Sequence, residues 1–583
     1  MPGQHSRDGA GAVEQVAVLV DRMVDEDALL EHVTAVAQFD RYQASTGLQQ
    51  AADEVARRAV LAGLRDVRVH HHQADGELRW WDWRAPSAWT PIRATLALPD
   101  SGRTRVVVDH AHEPFSLATY SAAASGWLPL RTLSGDSRQS TGPSDDDLRR
   151  LRGCLVVVDA AVWQGGAVLP RLAAAGVAGV VTAAPAAVVG GRAVAGRIEL
   201  PPGGPLFAFS VTPEVVAQVA AGSGGSVLVD IAVDTAATMA VVSGLLPGAD
   251  AGAACSEGEV WVVAHLCHPR PGANDNASGV AAALGVAEAL SRLQGELALP
   301  APRRAVRFLW GPEFLGPVAT LHGVVTTGAP RPVAVVDLDI VGVDQAVHPD
   351  VPFLLERPPD RGPDVLGALG ERALAAAFAQ TADLPGTWQA TPFIGFSDHA
   401  LFAAVDVGCQ AVQLCHVGDP ANHSAGDAVD RVSPTEMRRA VVAAAALARG
   451  AADAEFGVHA EEASSAPTPS AGPALLRRWS GPLNVREMVA SAPEPLRDRL
   501  RALLARDKRY SAVLLNVGLA ADGRTPLPDV LSEVAGRCGV QLDASTAQDV
   551  IAAFIESGRA EQRPPVPRPA VADVHTSPRA EQR

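Results

Sequence analysis

The chain has 583 residues, of which 48% are hydrophobic and 4% aromatic, and its formal net charge is −16. Because single hydrophobic cores stop growing well below this length, we expect two to four domains, packed mainly by alanine, valine and leucine. The negative charge argues against nucleic acid as a partner, since that requires basic clusters, and against an anionic membrane surface. We also expect no membrane span, because no uncharged apolar run free of glycine and proline reaches about 18 residues.

The cysteines and the N-terminus predict a cytoplasmic location. None of the six cysteines lies in a Cys-x-x-Cys pair, so we expect neither a disulfide framework nor a cysteine-based zinc site. Residues 1–15 show no charged-then-apolar pattern of the kind that signal peptides carry.

The N-terminal part of the chain predicts helices followed by a strand. Residues 1–12 are expected to be disordered, and residues 13–93 to form the first part of the main domain. Apolar residues recur at spacings of three and four over residues 12–64, which is typical of helices packed on one face. Alternation predicts a strand over residues 66–73. Its run His70–His72 is interpreted as solvated surface, because consecutive strand residues point to opposite faces.

The sequence pattern changes over residues 94–235, and we call this stretch the inserted domain. Short β-type runs separated by glycine and proline turns predict a small β-rich module with one helical stretch. Its only titratable candidates for a site are His110 and His112, which we interpret as surface turn residues.

Residues 236–452 show the alternation of strands and helices that is typical of an α/β fold. Buried strands alternate with helices such as Arg372–Gln380 and Glu436–Ala448. This pattern predicts a doubly wound, mostly parallel sheet with helices on both faces. The predicted strands are Val260–Ala264, Val306–Trp310, Val333–Leu338 and Ala411–Leu414.

The C-terminal quarter predicts a linker, a small helical domain and a tail. Residues 453–475 are rich in alanine, serine, proline and glutamate, which is a linker composition. Residues 476–560 contain four predicted helices. Residues 561–583 are rich in proline and arginine and are expected to be disordered.

Each of the four predicted strands of the α/β domain ends in side chains that bind metals. In chain order these are His265, His268 and Asp275, then Glu313, then Asp337 and Asp339, and finally His416 and His423. Ligands of open α/β sheets collect at the carboxyl ends of the strands, and Asp339 lies nearer that edge than Asp337. Imidazoles and carboxylates without thiolates favour a catalytic zinc with an open coordination position.

Several motifs in this region resemble those of one enzyme family. They are GANDNASG at Gly272–Gly279, EFLG at Glu313–Gly316, DLDIVG at Asp337–Gly342, SDHALF at Ser397–Phe402 and NHSAGDAVDRVSP at Asn422–Pro434. In this order they resemble the zinc aminopeptidases with one or two co-catalytic metals, whose relatives include glutaminyl cyclases, glutamate carboxypeptidases and the transferrin receptor. The inserted domain resembles a protease-associated domain. The C-terminal helical domain resembles the small winged-helix-like domain of a bacterial aminopeptidase-like subfamily.

The resemblance implies a ligand set. Asp275 would bridge or anchor the metal, and Asp339 and His423 would be ligands. Either His265, at the family's strand-end position, or His268, as in the bacterial subfamily that carries Cys-His-Pro, would complete the set, with a slight preference for His268. Both alternatives remain open at this point.

The resemblance also implies a catalytic base, with one departure. The family uses two adjacent glutamates, one as general base and the next as a metal ligand, whereas here Glu313 is followed by Phe314. If Glu313 is the base, a ligand is missing, and the chain would hold one zinc tightly or have a weak second site. If Glu313 is the ligand, the base is missing.

Further residues are candidates for supporting roles. Asp398 would lie behind Glu313 or hold the substrate's α-amine, and Asp427 and Asp430 would orient His423 or cap the following helix. We expect His399 to be a hydrogen-bond donor rather than a ligand. The candidates for substrate contact are Asp398, His399, Trp388 and Phe396, with core packing as the alternative for the aromatic residues.

The function implied is a zinc-dependent aminopeptidase that removes an N-terminal amino acid from a peptide or an aminoacylated small molecule. One alternative is a family member that binds without chemistry, as a single glutamate could indicate. Another is aminoacyl transfer or cyclisation of the glutaminyl-cyclase kind. We expect no nucleic-acid or membrane partner, and a homo-oligomer is left open.

Overall fold

The computed structural model describes residues 5–134, 143–249, 258–297, 299–456 and 472–566. The chain divides into two compact units, Met1–Glu461 and Glu462–Arg583, which we describe one at a time. The first unit has the mixed α/β fold that the sequence predicted. In the described part of the chain, every helix is too short or too polar to cross a membrane.

Three helices open the first unit: α1 (His5–Asp21), α2 (Glu26–Ala37) and α3 (Thr46–Leu61). The expectation of disorder over residues 1–12 is wrong from His5 onward, because α1 begins there, while residues 1–4 lie outside the described residues. Side-chain caps fix two of the helix starts. Asp25 accepts hydrogen bonds from the first turn of α2, and Ser45 accepts one from the first turn of α3.

The next elements include a short aromatic hairpin and the sheet of the inserted domain. Strands β1 to β6 span Arg65–His72, Arg79–Trp80, Trp83–Arg84, Thr90–Asp100, Arg103–Asp109 and Ala124–Leu133. They are followed by α4 (Asp145–Arg149), β7 (Leu155–Val158), α5 (Ala160–Trp163), α6 (Leu169–Ala174), β8 (Gly179–Thr182), β9 (Ala187–Val189), β10 (Arg192–Val194), β11 (Phe207–Ser210), α7 (Pro213–Ala221) and β12 (Ser226–Asp234).

The inserted domain has its own seven-stranded sheet, in the order β11-β8-β7-β6-β12-β4-β5. A separate hydrophobic core supports this sheet. One interpretation from the sequence is wrong here: His110 is not a surface residue but is buried, with its Nε2 3.8 Å from Asp40 Oδ2. His112 is exposed, as predicted.

The remaining elements of the first unit build the main sheet. They are β13 (Met239–Leu246), β14 (Glu259–His265), α8 (Gly279–Gly295), β15 (Val306–Gly311), α9 (Leu315–Thr327), β16 (Pro332–Asp339), β17 (Phe353–Glu356), α10 (Val365–Gln380), β18 (Trp388–Thr391), α11 (His399–Phe402), β19 (Gln410–His416) and α12 (Pro434–Asp453). The eight strands lie in the order β1-β13-β15-β14-β16-β19-β17-β18. The central strands β15, β14, β16 and β19 are parallel, while antiparallel pairs occur towards both edges.

Two hydrophobic layers bury the central strands on both faces. Alternate residues of β14 belong to different layers, since Val260 and Val262 pack with α8 and α12 while Trp261 and Val263 pack with α9 and α11. This burial explains why the central strands read as continuous apolar runs in the sequence. Polar side chains follow where these apolar strands end, as His265 does in β14 and Asp339 in β16.

The second unit combines five helices with a small sheet. Its elements are β20 (Ala474–Arg477), α13 (Val485–Ser491), α14 (Glu494–Arg506), α15 (Arg509–Leu519), β21 (Asp522–Pro526), α16 (Leu527–Arg537), α17 (Ala544–Glu556) and β22 (Ala560–Arg563). Strand β20 pairs with both other strands. It begins inside the segment expected to be a linker, and β22 extends into the expected tail. The rest of those segments, residues 457–471 and 567–583, lies outside the described residues.

Candidate metal centre

The candidate site lies where the parallel strands of the main sheet end. Strand β14 ends at His265, opposite Gly311 of β15, and β16 ends at Asp339, opposite Cys415 of β19. Because the carboxyl ends are in register, the residues that follow them meet at one edge of the sheet. This is the edge at which the sequence predicted a metal site.

The first group of ligand-type atoms comes from His268, Asp275 and His423, whose atoms all lie within 4.8 Å of one another. Asp275 Oδ2 lies 3.3 Å from His268 Nε2 and 3.1 Å from His423 Nε2. The two imidazole rings stack, with centroids 5.7 Å apart. His268 and Asp275 are buried, whereas His423 remains partly exposed.

The second group consists of His265, Glu313 and Asp339. His265 Nε2 lies 3.1 Å from Asp339 Oδ1 and 3.3 Å from Asp275 Oδ1. The two carboxylate oxygens of Asp275 therefore face different groups, one towards His265 and the other towards His268. Both histidines that the sequence offered as rivals are present, one in each group.

These residues fit divalent zinc ions. His268 Nε2 is buried and has no hydrogen-bond partner among the described residues, although an imidazole nitrogen in a protein interior normally has one. Three carboxylates, those of Asp275, Glu313 and Asp339, converge on the same region, and such a concentration of buried negative charge requires cations. Imidazole nitrogens and carboxylate oxygens are the ligands of catalytic zinc.

The two strand-end histidines present their Nε2 atoms to the centre for a structural reason. His265 Nδ1 lies 3.1 Å from the Cys267 carbonyl oxygen, and His268 Nδ1 lies 2.9 Å from that of Pro269. A carbonyl oxygen only accepts hydrogen bonds, so Nδ1 carries the proton in each ring. The unprotonated Nε2 is then left to coordinate a metal.

Burial and neighbouring charges shift the pKa values of this centre. Burial lowers the pKa of His268 and keeps its imidazole neutral, as a ligand must be. Burial, together with the nearby carboxylates of Asp339 and Asp275, raises the pKa of Glu313 to about 7. A carboxyl group that titrates near neutrality is suited to general base catalysis.

Main-chain and hydroxyl groups hold the carboxylate ligands in place. Ser397 Oγ donates to Asp339 Oδ2 at 2.8 Å. Asp427 accepts hydrogen bonds from the main-chain N–H groups of Asn274 at 2.7 Å and Asp275 at 3.0 Å. Asp427 thus fixes the segment that carries the bridging carboxylate, whereas the sequence had suggested that it orients His423 or caps a helix.

Arg41 is a supporting residue that sequence reasoning did not single out. Its guanidinium is fully buried and donates to main-chain carbonyl oxygens on both sides of His268. These acceptors are Leu266, Pro271 and Gly272, together with Val36 and Phe39. No motif of the sequence analysis pointed to Arg41, because its acceptors lie mostly in a loop far along the chain.

Glu313 lies on a turn that two side chains fix. Its main-chain N–H donates to Cys267 Sγ at 3.2 Å, and that of Phe314 donates to Asp398 Oδ1 at 2.5 Å. Phe314 has φ +59°, a conformation that non-glycine residues rarely adopt. Asp398 is fully buried, so it lies behind Glu313 and does not reach a substrate amine, which corrects the second of its two predicted roles.

The prediction that His399 contacts substrate is wrong. His399 is fully buried, with Nδ1 3.2 Å from Asp337 Oδ2 and Nε2 2.7 Å from Glu356 Oε1. Burial alone would lower its pKa, but the two carboxylates raise the pKa to about 10. Both ring nitrogens are engaged, so His399 balances the charge of Asp337 and Glu356 inside the protein.

The two aromatic candidates for substrate contact lie in different surroundings. Trp388 begins the edge strand β18, separated from β16 by two strands, and lines a cavity with Phe378 and Arg439 rather than with the metal ligands. Phe396 is exposed and immediately precedes Ser397, which binds Asp339. Of the two, Phe396 alone lies beside the centre.

Comparisons with known proteins found one family model and several solved structures similar to this chain. Residues 242–448 match the family model described as peptidase family M28. The sequence matches none of the curated proteins. Among solved structures, one from Clostridium acetobutylicum is 13% identical, with 96% of this chain and 99% of that chain covered and a TM-score of 0.50.

Two further solved structures carry peptidase descriptions. A peptidase M28 precursor from Shewanella amazonensis is 15% identical, covering 79% of this chain and 100% of its own, with a TM-score of 0.50. The zinc aminopeptidase BSAP from Bacillus subtilis is 16% identical, covering 72% and 94%, with a TM-score of 0.48. At such identities the likeness to the two structures with a TM-score of 0.50 shows the fold alone. The family resemblance predicted from the motifs is confirmed by the match of residues 242–448 to the model of peptidase family M28.

Proposed function

We propose that the chain is a zinc-dependent aminopeptidase, which removes the N-terminal amino acid from a peptide or an aminoacylated small molecule. The observation that carries this proposal is the pair of ligand groups joined by the two oxygens of Asp275, with Glu313 beside them. The match to peptidase family M28 supports hydrolysis of peptide bonds.

The ligand groups support two zinc ions per chain. His268, Asp275 and His423 would hold one ion. His265, Asp339 and the other oxygen of Asp275 would hold the second, since His265 Nε2 lies within 3.3 Å of Asp275 Oδ1 and 3.1 Å of Asp339 Oδ1. The family's second glutamate is replaced by Phe314 in the sequence. In the proposed centre the imidazole of His268 would take that ligand position on its side of Asp275, so Glu313 would be available as the base.

Zinc ions bound by these residues would supply Lewis acidity, which lowers the pKa of a coordinated water to about 7 and polarises a scissile carbonyl group. Glu313 takes a proton from the attacking water and returns it to the leaving amine. Asp398 and Cys267 keep the Glu313 carboxylate directed at the reaction by fixing its turn. Ser397 prevents Asp339 from rotating away from the second group.

The proposal is tested with Glu313→Gln in an assay of aminoacyl-amide hydrolysis, with zinc measured on the same samples. We expect kcat to fall by about 10²- to 10⁴-fold while zinc is retained. Glu214→Gln, at an exposed carboxylate of the inserted domain, is the matched control and should change neither quantity. Loss of zinc from Glu313→Gln would make Glu313 a ligand, and a wild-type protein with neither zinc nor turnover would contradict the proposal.

A further inference from the structure

The inserted domain contacts the loop that carries His423 through its main chain. Arg197 N–H donates to the His423 carbonyl oxygen at 2.8 Å, and Ala425 N–H donates to that of Ala195 at 2.8 Å. Gly196 lies between them and forms an antiparallel bridge with Ser424. A Cβ at Gly196 would lie 1.7 Å from the Pro185 carbonyl oxygen, so the close packing of Pro185 against this position requires glycine.

This contact places Arg197 directly beside His423, one of the candidate ligands, and the side chains of residues opposite one another in an antiparallel pair lie on the same face. The positive charge of Arg197 acts on one residue of each ligand group. Burial lowers the pKa of His268, and the charge of Arg197 lowers it as well. Burial raises the pKa of Glu313, and the charge of Arg197 opposes that rise. Its ion-pair partner is Glu199, whose Oε2 lies 3.4 Å from Nη2. Both side chains are partly exposed, and an ion pair of this length and exposure is weak.

The charges at the centre indicate what Arg197 binds. A free α-amine is a cation, so in an aminopeptidase substrate it is attracted to the carboxylates of the centre and repelled by a guanidinium. The other end of a short peptide carries a carboxylate, for which the planar fork of arginine is geometrically suited. Arg197 is therefore placed to recognise the end of the substrate that leaves, not the end that carries the amine.

We propose that Arg197 of the inserted domain is a specificity residue that binds the free carboxylate on the leaving-group side of the scissile bond. The preferred substrates are then dipeptides and other short peptides with a free carboxylate close to that bond. This inference rests on the proposed peptidase function and adds to it a substrate class and a role for the inserted domain.

The test compares leucyl-glycine with leucyl-glycinamide, which differ only in the carboxylate, in the full-length zinc-loaded protein. The wild type should have the higher kcat/KM for leucyl-glycine. In Arg197→Gln, kcat/KM for leucyl-glycine should fall by about 10- to 100-fold relative to the amide, mainly through KM, because one charged hydrogen-bonding partner is lost. Arg197→Lys should restore part of this preference, and Arg105→Gln, on an outer strand of the inserted domain, should keep the wild-type ratio.

Other outcomes overturn the inference in distinguishable ways. If Arg197→Gln lowers kcat/KM equally for both substrates, Arg197 only supports the His423 loop. If the wild type hydrolyses the two substrates equally well and the variant does the same, the carboxylate is not recognised, although the peptidase function stands. If the wild type hydrolyses neither substrate, the peptidase function fails and this inference fails with it.

Discussion

His268 Nε2 lies 3.3 Å from Asp275 Oδ2, on the opposite side of that carboxylate from His265. This relationship accounts for the main departure of the sequence from its family pattern. With Phe314 after Glu313, the paired glutamates are reduced to one, and the resemblance left either a ligand or the base missing. Under the proposed assignment, the imidazole of His268 takes the missing ligand position, and Glu313 can serve as the base.

Ser397 should be a determinant of metal affinity. Ser397→Ala removes the hydrogen bond to Asp339 Oδ2, and the loss of such outer-shell partners typically weakens metal binding by about 10- to 100-fold. Zinc affinity is measured by competition with a chromophoric chelator. Ser291→Ala is a matched control, because the buried Ser291 hydroxyl has no hydrogen-bond partner among the described residues. Equal affinities for the two variants would show that Ser397 has no such role.

Asp398 should act by positioning Glu313. Asp398→Asn keeps an oxygen that can accept the Phe314 main-chain N–H, whereas Asp398→Ala removes the acceptor and leaves a buried donor unsatisfied. We expect kcat to fall by about 10-fold or more in the alanine variant and by much less in the asparagine variant, with KM little changed. Similar losses in both variants would mean that the charge of Asp398, and not its hydrogen bond, is what catalysis requires.

Arg41 should be essential for stability. Arg41→Met leaves several buried carbonyl oxygens without their donor, at a cost of about 1–3 kcal/mol for each such group. Thermal unfolding of the zinc-free protein should show a large fall in Tm. Arg57→Met, at an exposed arginine on α3, should leave the Tm close to that of the wild type. A Tm for Arg41→Met equal to that of the control would contradict this role.

His416 should make the first unit sensitive to acid. Burial lowers its pKa from the ordinary 6.5 to about 3 in the folded state. As the pH falls below 6.5, the unfolded chain binds a proton that the folded state excludes, so stability is lost by about 1.4 kcal/mol per pH unit until about pH 3.

Replacing His416 by glutamine should remove this contribution. The Tm of wild type should then fall more steeply than that of His416→Gln between pH 6.5 and 4.5. Burial raises the pKa of the neighbouring Glu436 to about 7, so its protonation stabilises the folded state as the pH falls. Glu436 is present in both proteins, so its contribution does not distinguish their Tm curves. Parallel Tm curves for the two proteins would refute the assignment.

The sequence could predict the strands and most of the candidate ligands because both signals are local. Buried central strands are apolar runs in the sequence. His265 and Asp339 end two of these runs, and Asp275 lies in the loop after the first. The motif spacing placed Glu313 and His423 at the same edge. The mixed α/β fold and the resemblance to the zinc aminopeptidase family could therefore be predicted from the sequence alone.

The remaining features depend on contacts between distant parts of the chain. The burial of His399 is set by Glu356 on a neighbouring strand, and the division of His265 and His268 between two groups is set by the path of a loop. Strand β20 is four residues long and pairs with β22 far along the chain, so neither had a usable local signal. The likeness of the inserted domain to protease-associated domains, and of the C-terminal domain to winged helices, stays a prediction.

The most direct test of the account is the zinc content of the purified protein and of His268→Gln, measured by elemental analysis after dialysis against metal-free buffer. The two ligand groups joined by Asp275 predict two zinc ions per wild-type chain and one in the variant, with hydrolysis of aminoacyl amides strongly reduced. His112→Gln, at an exposed histidine, should retain both ions. One zinc in both wild type and His268→Gln would contradict the assignment of His268 as the ligand that replaces the family's second glutamate.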